Sequence, residues 1–432
     1  MLDGTWDVRR VKTLAVKIGS GKTPSGGGES YQESGVVFLR SQNIHFDGLR
    51  LNDVAYIDDV THREMRASQV RDGDVLLNIT GASLGRTTYV PAGFPRANVN
   101  QHVCIVRPAY GVESRFLTYA LSSLTVQEQI SALQVGGNRD GLNFEQVGNL
   151  RLHIPQMEEQ FRVANFLDGE TGRIDALVKG QQALSKLLLE RREAGVIEHV
   201  TGADHADHRA SRLEWADSLP EDWPEVRLGL LARMGSGHTP SRSRPEWWVA
   251  PSIPWITTGE VSQVRDDRRE VITETREKIS ELGLANSAAE LHPAGTVVLC
   301  RTASAGYSAV MGSDMATSQD FATWTCGPRL DPFYLLWCLR AMRQDLLGRL
   351  AMGSTHKTIY VPDLQMLRIP LPDIREQQRI VGAIRDQNAA IDRLVDAVAR
   401  QLALLAERRQ ALITAAVTGQ FDVTTARGAN VS

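Results

Sequence analysis

The chain contains one module that occurs twice, with a constant spacing between equivalent positions. Trp6 and Trp223 stand in similar contexts, which places the two copies 217 residues apart (223 − 6). The run LRLHIP from Leu150 and the run LRIPLP from Leu367 have the same spacing (367 − 150). Further pairs at this spacing are Glu159-Gln160 with Glu376-Gln377, Ile174-Asp175 with Ile391-Asp392, Glu190-Arg191-Arg192 with Glu407-Arg408-Arg409, and Val200-Thr201-Gly202 with Val417-Thr418-Gly419. Because this register holds without a gap to the end of each copy, the sequence predicts a duplicated structural unit.

The two copies differ most at polar positions between apolar runs. The run GSGKTP from Gly19 matches GSGHTP from Gly235, and VFLRSQNI from Val37 matches PWITTGEV from Pro254. Other matched runs are RDGDVLL from Arg71 with HPAGTVV from His292, GASLG after Thr80 with ASAG after Thr302, and Asn100-Gln101-His102 with Ser318-Gln319-Asp320. The apolar framework is kept while its polar loops change, as expected if each copy recognises something different.

Each copy begins with a globular part, called a head below, and ends with a helical part. Short apolar runs such as DVLLNIT, HVCIVRP and TVVLCRT alternate with Gly, Pro and Asn, which is typical of strands joined by polar loops. The predicted fold class is α/β (α+β), with two heads joined by two long helices in a pseudo-two-fold internal repeat. The predicted boundaries are a first head at 1–155, a helical segment at 156–203, a polar linker at 204–222, a second head at 223–372, a second helical segment at 373–421 and a tail at 422–432.

The helical segments carry apolar residues at seven-residue intervals. In the second copy one set is Ile391, Val398, Leu405 and Leu412, and the interleaved set is Leu394, Gln401, Arg408 and Ala415. In the first copy the sets are Ile174, Gln181 and Leu188, and Leu177, Leu184 and Arg191. These seams predict an antiparallel intramolecular coiled coil, and packing of each helix against its own head is the alternative. From Arg173 to Val200 the helix would span about 40 Å at ~1.5 Å per residue, the length of about a dozen base pairs.

The composition, with 42% hydrophobic and 23% charged residues, is that of a globular protein and excludes a disordered or fibrous one. No apolar run reaches the roughly 18–20 residues of a membrane helix, and the first residues do not resemble a signal peptide, so we expect a cytoplasmic protein. The four cysteines, Cys104, Cys300, Cys326 and Cys338, form no C-x-x-C pair and are predicted to be buried apolar residues. A net charge of −3 means that binding to DNA would need a locally basic face or a partner.

Two motifs suggest other chemistry but fail on inspection. The run GSGKT lacks the first glycine of a phosphate-binding loop, since that position is Val16, and Pro24 follows directly. The histidines His199, His205 and His208 fall in or beside the predicted linker, where a solvated segment is favoured over a metal site. The sequence shows no cofactor loop, base-methylation tetrad, nuclease cluster or nucleophile motif. We therefore expect no catalytic centre and no metal site.

The remaining chemistry lies in polar loop residues of the two heads, which can bond base edges or phosphates. In the first head these are Lys22, Thr23, Arg40, Ser41, Gln42, Asn43, Thr80, Ser83, Arg86, Asn100, Gln101, Asn138 and Arg139. In the second head they are His238, Thr239, Thr257, Thr258, Glu260, Arg301, Thr302, Ser304, Ser318, Gln319, His356 and Lys357. Arg suits guanine, Asn and Gln suit adenine, and Glu can accept from cytosine. Taken singly, each is equally well explained as an ordinary surface or capping group, but as a matched set they favour DNA recognition.

The combination of motifs resembles the specificity subunit of Type I restriction–modification systems. It comprises W-x-x-V-R-L near a module start, G-S-G-x-T-P, I-P-L-P-x-x-x-E-Q-Q-R-I-V and L-L-x-E-R-R-Q-A-L-I-T-A-A-V-T-G-Q. The resemblance covers essentially the whole chain and is most specific over 369–420, while the first copy departs from it at Met157 and Phe161.

The resemblance implies a bipartite DNA site, with each head acting as a target recognition domain for one half. The long helices would set the separation of the half-sites and bind two methyltransferase (M) subunits. S-adenosylmethionine, ATP and Mg are then expected on the M and restriction/motor (R) subunits, and this chain is expected to bind no cofactor and no membrane. Because the heads differ, the target is predicted to be asymmetric.

Three other functions remain as alternatives. A specificity subunit of a Type II-like methyltransferase or nuclease would be distinguished by its neighbouring genes. A coiled-coil adaptor that binds only protein would shift no DNA duplex selectively, even with partners present. An enzyme in its own right would show turnover with cofactor and DNA.

Overall fold

The computed structural model describes residues 6–24, 26–134, 141–352 and 358–423, and the chain forms two compact units. One unit comprises Met1–Gln182 and Ala399–Ser432, and the other comprises Ala183–Val398. Each unit contains one head of mixed strands and helices together with parts of two long helices, Met157–Val200 and Ile374–Val417. The predicted mixture of helices and strands is confirmed.

The first head is built on two small sheets. The four-stranded antiparallel sheet has the order Ala15–Ser20, Val103–Pro108, Val75–Asn78, Thr87–Tyr89. The three-stranded mixed sheet has the order Ala55–Ile57, Val36–Leu39, Ala97–Val99. Smaller pairs join Asp7–Arg10 to Arg151–Ile154 and Ile44–His45 to Gly48–Leu49. The helices are Asp59–Glu64, Ser114–Ser122, Leu124–Ala132 and Phe144–Asn149, with 3-10 turns at Val11–Thr13, Gly27–Ser30, Ser41–Asn43, Arg66–Ser68 and Gly81–Ser83.

The continuous apolar runs of this head are explained by burial on both faces of the larger sheet. Successive side chains of a strand point to opposite faces, so each run supplies two cores. Val75 and Leu77 pack in the cluster that contains Phe116, while Leu76, between them, packs in the cluster that contains Leu39. A strand buried on both faces has no polar alternation, which is why these segments are apolar throughout.

The second head repeats this plan with different loops. Its five-stranded sheet has the order Ala232–Ser236, Phe321–Cys326, Val297–Cys300, Ser308–Met311, Val271–Ile272, and its three-stranded sheet has the order Lys278–Ile279, Ile253–Ile256, Ala316–Thr317. Strand pairs join Glu225–Arg227 to Arg368–Pro370 and Ala351–Met352 to Thr358–Ile359. Its helices are Glu281–Ala285, Pro332–Ala341, Arg343–Asp345 and Val361–Gln365, with 3-10 turns at Leu228–Leu230, Pro245–Trp248 and Thr258–Gln263 and a π turn at Leu346–Leu350. In the first head the strand Val103–Pro108, which precedes the helix Ser114–Ser122, lies inside the larger sheet. In the second head the strand Phe321–Cys326, which precedes the helix Pro332–Ala341, lies there too.

The segment predicted to be a polar linker is ordered, which corrects the expectation of a solvated connection. Its strands His208–Ala210 and Ser218–Pro220 form an antiparallel ribbon that buries Leu213, Ala216 and Leu219. Arg209 donates to a carboxylate oxygen of Glu225 at 2.7 Å. These three apolar residues, with Trp215 packed against them, bury together and account for the order of this acidic segment.

The three histidines of the region each contact a different protein group. His199 Nε2 lies 3.1 Å from Gln387 Oε1, and His208 Nε2 lies 3.1 Å from the Gly202 carbonyl oxygen. His205 Nε2 lies 3.5 Å from a carboxylate oxygen of Glu376. Among the residues that the structure describes, no three His, Cys, Asp or Glu side chains are grouped as metal ligands would be.

Each long helix is anchored to the head before it by a buried glutamine. Gln160 Oε1 accepts from Glu113 N at 2.9 Å, and its amide donates to the carbonyls of Gly111 and Pro155. Gln377 makes the same three bonds, accepting from Asp331 N at 2.8 Å and donating to the carbonyls of Arg329 and Pro372. The repeated Glu-Gln motif therefore marks the junction of head and helix.

The two helices contact each other within each unit, and in the unit of the second head their direction can be read from two contacts. In the unit of the second head, Arg192 pairs with Asp392 and His199 lies beside Gln387. The number rises from 192 to 199 on one helix while it falls from 392 to 387 on the other, so the helices run antiparallel there. In the unit of the first head, Asp175 pairs with Arg409.

The cysteines occupy apolar surroundings, as predicted, except that Cys326 is only half-buried. Burial raises the pKa of Cys104 to about 12 and that of Cys300 to about 11, which keeps both thiols protonated near neutral pH. None of the helices that the structure describes is long and apolar enough to cross a membrane.

Candidate nucleic-acid interface

The GSG-x-TP loop has the same construction in both heads. Its second glycine lies against the end of a buried strand, because a Cβ at Gly21 would stand 1.6 Å from the Val99 carbonyl oxygen and one at Gly237 would stand 2.1 Å from that of Thr317. The threonine then donates to a glutamine side chain, as Thr23 does to Gln101 and as Thr239 does to Gln319 at 2.6 Å. The motif therefore holds two exposed polar loops together and leaves Lys22 and His238 exposed beside them.

A second matched pair lies beside the first. Thr80 Oγ1 and His102 Nδ1 are 2.6 Å apart in the first head. In the second head Thr302 Oγ1 donates to Asp320 Oδ1 at 2.5 Å. The geometry is common to the two heads, but an imidazole in one is replaced by a carboxylate in the other.

Beside the Thr80–His102 pair, the first head has a shallow depression of about 440 Å³. It is lined by Ser41, Gln42, Thr80, Gly81, Ala82, Ser83, Arg86 and His102. Hydroxyl, amide, imidazole and guanidinium groups are thus brought together on an open polar surface. Such a set can donate to base edges or to phosphate oxygens, the two kinds of contact that a DNA-binding surface requires.

Four residues predicted to contact DNA are buried inside the loops. Asn43 Oδ1 accepts from Arg40 N at 2.9 Å and Nδ2 donates to the Arg50 carbonyl at 2.8 Å. Its repeat partner Glu260 is 0% exposed and accepts from Arg276 N at 2.9 Å. Asn100 and Ser318 are also buried. We therefore correct these four to loop-supporting residues, because burial leaves their polar atoms to satisfy the loop backbone.

Most of the other described candidates of the second head are half-buried, while His238 and Gln319 are exposed. Arg301 donates through Nη2 to the Gln319 carbonyl oxygen at 2.6 Å, which fixes its guanidinium beside the Thr302–Asp320 pair. Ser304 N donates to the Thr302 carbonyl oxygen at 2.6 Å. The half-buried candidates in this head are Thr239, Thr257, Thr258, Arg301, Thr302 and Ser304. In the first head Arg40 is held by the Asp53 carbonyl oxygen at 3.0 Å and is also half-buried.

Four predicted contacts, Asn138, Arg139, His356 and Lys357, lie outside the described residues. The first described residue after each of these two segments pairs with an equivalent threonine of its head. Gly141 forms a bridge with Thr80, and Thr358 forms a bridge with Thr302.

Residue-by-residue reasoning missed His102 and Asp320, although the repeat alignment pairs them. It also missed an exposed loop of the second head, where the guanidinium of Arg242 lies 4.0 Å from the ring centroid of Trp248. Trp248 in turn contacts Trp255 at 5.7 Å between ring centroids. A comparison of Asn100-Gln101-His102 with Ser318-Gln319-Asp320 would have found His102 and Asp320, which are the third residues of the two runs.

The predicted helix seams divide into a buried set and an exposed set. Ile174, Ile391 and Val398 are buried, and Leu188, Leu405 and Leu412 are half-buried. The interleaved positions Leu177, Leu184, Arg191, Leu394 and Arg408 are exposed. The first set is therefore the one that is buried, and the assignment of both sets to coiled-coil or partner contacts stays a prediction. Arg191 pairs instead with Glu198 of its own helix at 2.9 Å.

A sequence profile of the family described as Type I restriction modification DNA specificity domain matches residues 4–183 and 220–393, once in each copy of the repeat. The chain belongs to this family. Members of the Type I specificity family are the DNA-recognition components of complexes with methyltransferase and restriction subunits, and this is the function of the chain. The resemblance inferred from the motifs is confirmed.

Relatives named as type I specificity subunits match either nearly the whole chain or part of it. A putative type I restriction enzyme MjaX specificity subunit of Methanocaldococcus jannaschii is 20% identical over 97% of this chain and 94% of its own. The EcoR124I/EcoR124II specificity subunit of Escherichia coli is 24% identical over 41% of this chain and 44% of its own. The HsdS subunit from Thermoanaerobacter tengcongensis has a similar fold, with a TM-score of 0.54 and 18% identity over 97% of this chain and 98% of its own. A structure from a study of type I R-M system assembly has a TM-score of 0.67 at 20% identity, and the match covers 98% of this chain and 100% of that one.

Proposed function

We propose that the two heads recognise the two halves of one asymmetric DNA site. The observation that carries the proposal is the matched pair Thr80–His102 and Thr302–Asp320, in which an imidazole and a carboxylate occupy the same position. A carboxylate only accepts hydrogen bonds, whereas an imidazole can also donate. Heads that differ in this way are expected to favour different base edges, which disfavours a palindromic target.

The proposed contacts are the polar residues that remain accessible in the matched loops. In the first head they are Lys22, Thr23, Arg40, Ser41, Gln42, Thr80, Ser83, Arg86, Gln101 and His102, and in the second head they are His238, Thr239, Thr257, Thr258, Arg301, Thr302, Ser304, Gln319 and Asp320. The loops that contain Asn138, Arg139, His356 and Lys357 belong to the proposal, since their described neighbours Gly141 and Thr358 adjoin the matched pairs.

The long helices are proposed to act as an antiparallel coiled coil that also binds partners. Ile174, Ile391 and Val398 supply its buried seam. Leu177 and Leu394 remain 55% and 53% exposed, an apolar surface that suits a helix of another subunit. Since this surface occurs in each repeat, two M subunits are proposed, one for each copy.

The chain is proposed to have no catalytic centre and no cofactor of its own. S-adenosylmethionine is then held by the M subunits, and ATP and Mg serve the R subunits. The proposal is supported by the role of the family, in which recognition and catalysis belong to different subunits. Turnover by the purified chain with cofactor and DNA would contradict it.

The decisive experiment is genome-wide mapping of N6-methyladenine in the host, with and without this gene. We expect one bipartite motif to lose its methylation on deletion. Loss of no motif, even when the neighbouring methyltransferase is co-expressed, would favour the protein-binding adaptor.

Replacement of residues 1–155 by the corresponding head of another family member is expected to change only one half of the methylated motif. The reason is that each head has its own cores and its own polar loops. Motif mapping checks this, and a simultaneous change in both halves would contradict independent recognition.

Leu177→Asp and Leu394→Asp are each expected to reduce co-purification of the M subunit roughly ten-fold, because each places a charge in the proposed apolar contact. Lys179→Ala, at an exposed position of the same helix, is the control and should bind normally. Normal binding by both leucine variants would show that this surface is not the docking site.

A further inference from the structure

Each long helix carries one arginine that contacts both an aspartate of the other helix and a backbone carbonyl of a head. Arg192 Nε lies 3.3 Å from Asp392 Oδ1, and Arg409 Nε lies 3.4 Å from Asp175 Oδ1. Both pairs obey the repeat spacing (409 − 192 and 392 − 175 are each 217). The interaction has therefore been kept in both copies while the head loops diverged.

The other end of each guanidinium reaches a backbone carbonyl of a head. Arg409 Nη2 donates to the Phe46 carbonyl oxygen at 3.4 Å. Arg192 donates through Nη1 to the Asp266 carbonyl oxygen at 3.3 Å and through Nη2 to that of Asp267 at 3.0 Å. Each arginine thus links the helix pair of its unit to one loop of the head in that unit.

The loop contacted by Arg409 is continuous with the candidate DNA-contacting turn. Ser41–Asn43 contributes Ser41 and Gln42 to the polar depression, and Phe46 lies in the hairpin that follows. Asn43 secures the far end of that hairpin, since its Nδ2 donates to the Arg50 carbonyl oxygen at 2.8 Å. A displacement of Phe46 would therefore be transmitted to the turn through a short, hydrogen-bonded segment.

In the second head the loop contacted by Arg192 also follows a candidate DNA-contacting turn, and further arginines bond to it. The turn Thr258–Gln263 is followed by Asp266 and Asp267. Asp267 has a φ of 57°, a left-handed conformation that costs energy in a non-glycine residue. Its carboxylate is held at both oxygens by Arg343, at 2.6 and 2.7 Å, and its carbonyl oxygen also accepts from Arg340 at 2.8 Å. Several arginines therefore hold this loop in a conformation that it would not adopt alone.

We infer that Arg192 and Arg409 are positioning residues for DNA recognition, each holding the recognition turn of one head through the loop that follows it. This inference rests on the proposed function, because it assigns each arginine to one half-site. The alternative is that the arginines serve only the helix pair, through Asp392 and Asp175.

The two roles are separable because the contacts use different nitrogens of the guanidinium, Nε facing the aspartate and the terminal nitrogens facing the head carbonyls. Arg409→Lys keeps a positive charge opposite Asp175 but loses the planar donor fork that reaches two groups at once. The exchange Arg409→Asp with Asp175→Arg restores a charge pair between the helices, but removes the donor from the position facing Phe46. Only the positioning role predicts a defect in the exchanged protein.

The test uses the complex assembled with its M subunits and duplexes that carry the motif mapped in the host. Methylation rates are compared for the cognate duplex and for duplexes with one base changed in either half. With Arg409→Lys and with the exchange, we expect discrimination in the first head's half to fall roughly ten-fold, about the effect of one lost charge-assisted hydrogen bond. Discrimination in the other half should be unchanged, and Arg192→Lys should give the reverse pattern.

Arg400→Ala, at an exposed position of the same helix, is the matched control and should discriminate normally. Unfolding midpoints of all variants show whether the heads remain folded. Restoration of discrimination by the charge exchange, or equal loss in both halves, would overturn the inference. A wild-type complex that methylates no bipartite motif would instead refute the proposed function and remove the basis of the inference with it.

Discussion

Gln377→Leu is expected to lower the free energy of unfolding by about 3 kcal/mol or more, since three buried polar groups lose their partner and each costs about 1–3 kcal/mol when unsatisfied. Gln377 is 0% exposed and is bonded to Asp331 N and to the carbonyls of Arg329 and Pro372. Leucine has a similar size, so the loss comes from hydrogen bonding and not from a cavity. Gln160→Leu is expected to have the same effect, because it makes the equivalent bonds at 1% exposure.

Chemical denaturation of the purified chain measures this loss. Gln401→Leu is the control, since Gln401 is exposed on the same helix as Gln377 and its replacement should leave the unfolding midpoint nearly unchanged. Equal midpoints for Gln377→Leu and Gln401→Leu would mean that the junction of head and helix is held by packing alone.

Gly21→Ala is expected to destabilise the first head by about 3 kcal/mol, within the range for overpacking a site that cannot relax. The added Cβ would stand 1.6 Å from the Val99 carbonyl oxygen, and backbone cannot rotate away as a side chain can. The shift would also separate Thr23 from Gln101, so recognition by this head should be lost together with stability. Gly237→Ala should act in the same way on the second head, where the Thr317 carbonyl oxygen stands 2.1 Å away.

Gly19→Ala is the matched control for this prediction. It lies two residues earlier, and its Cβ would meet only the end of the Lys17 side chain at 3.9 Å. Thermal unfolding and motif methylation should therefore stay near the wild-type values. If Gly21→Ala behaves like Gly19→Ala, the GSG-x-TP motif is kept for a reason other than this close approach.

Several features of the fold could be predicted because they depend on residues that repeat. The repeat spacing of 217 residues is enough to pair Gln160 with Gln377 and Arg192 with Arg409. The apolar runs indicated strands, and the helical segments were located within a few residues of Met157–Val200 and Ile374–Val417. These predictions succeeded because periodicity and apolar content act locally along the chain.

The site was harder to predict because loop polarity does not reveal burial. Asn43 and Glu260 have the chemistry of base-contacting groups, yet their polar atoms bond backbone groups inside the turn. Heptad spacing likewise does not determine which of two interleaved sets is buried, and the structure leaves Leu177 and Leu394 exposed.

The order of residues along the chain is enough to identify the duplication, the mixed α/β heads, the two long helices and the family. Which polar loop residues are accessible and which support the loops depends instead on how distant segments pack together. The same packing places His102 beside Thr80, Asp320 beside Thr302, and Arg409 against the Phe46 carbonyl oxygen. The physical reason is that a side chain's partner is set by the packing of segments far apart in sequence, here 363 residues apart.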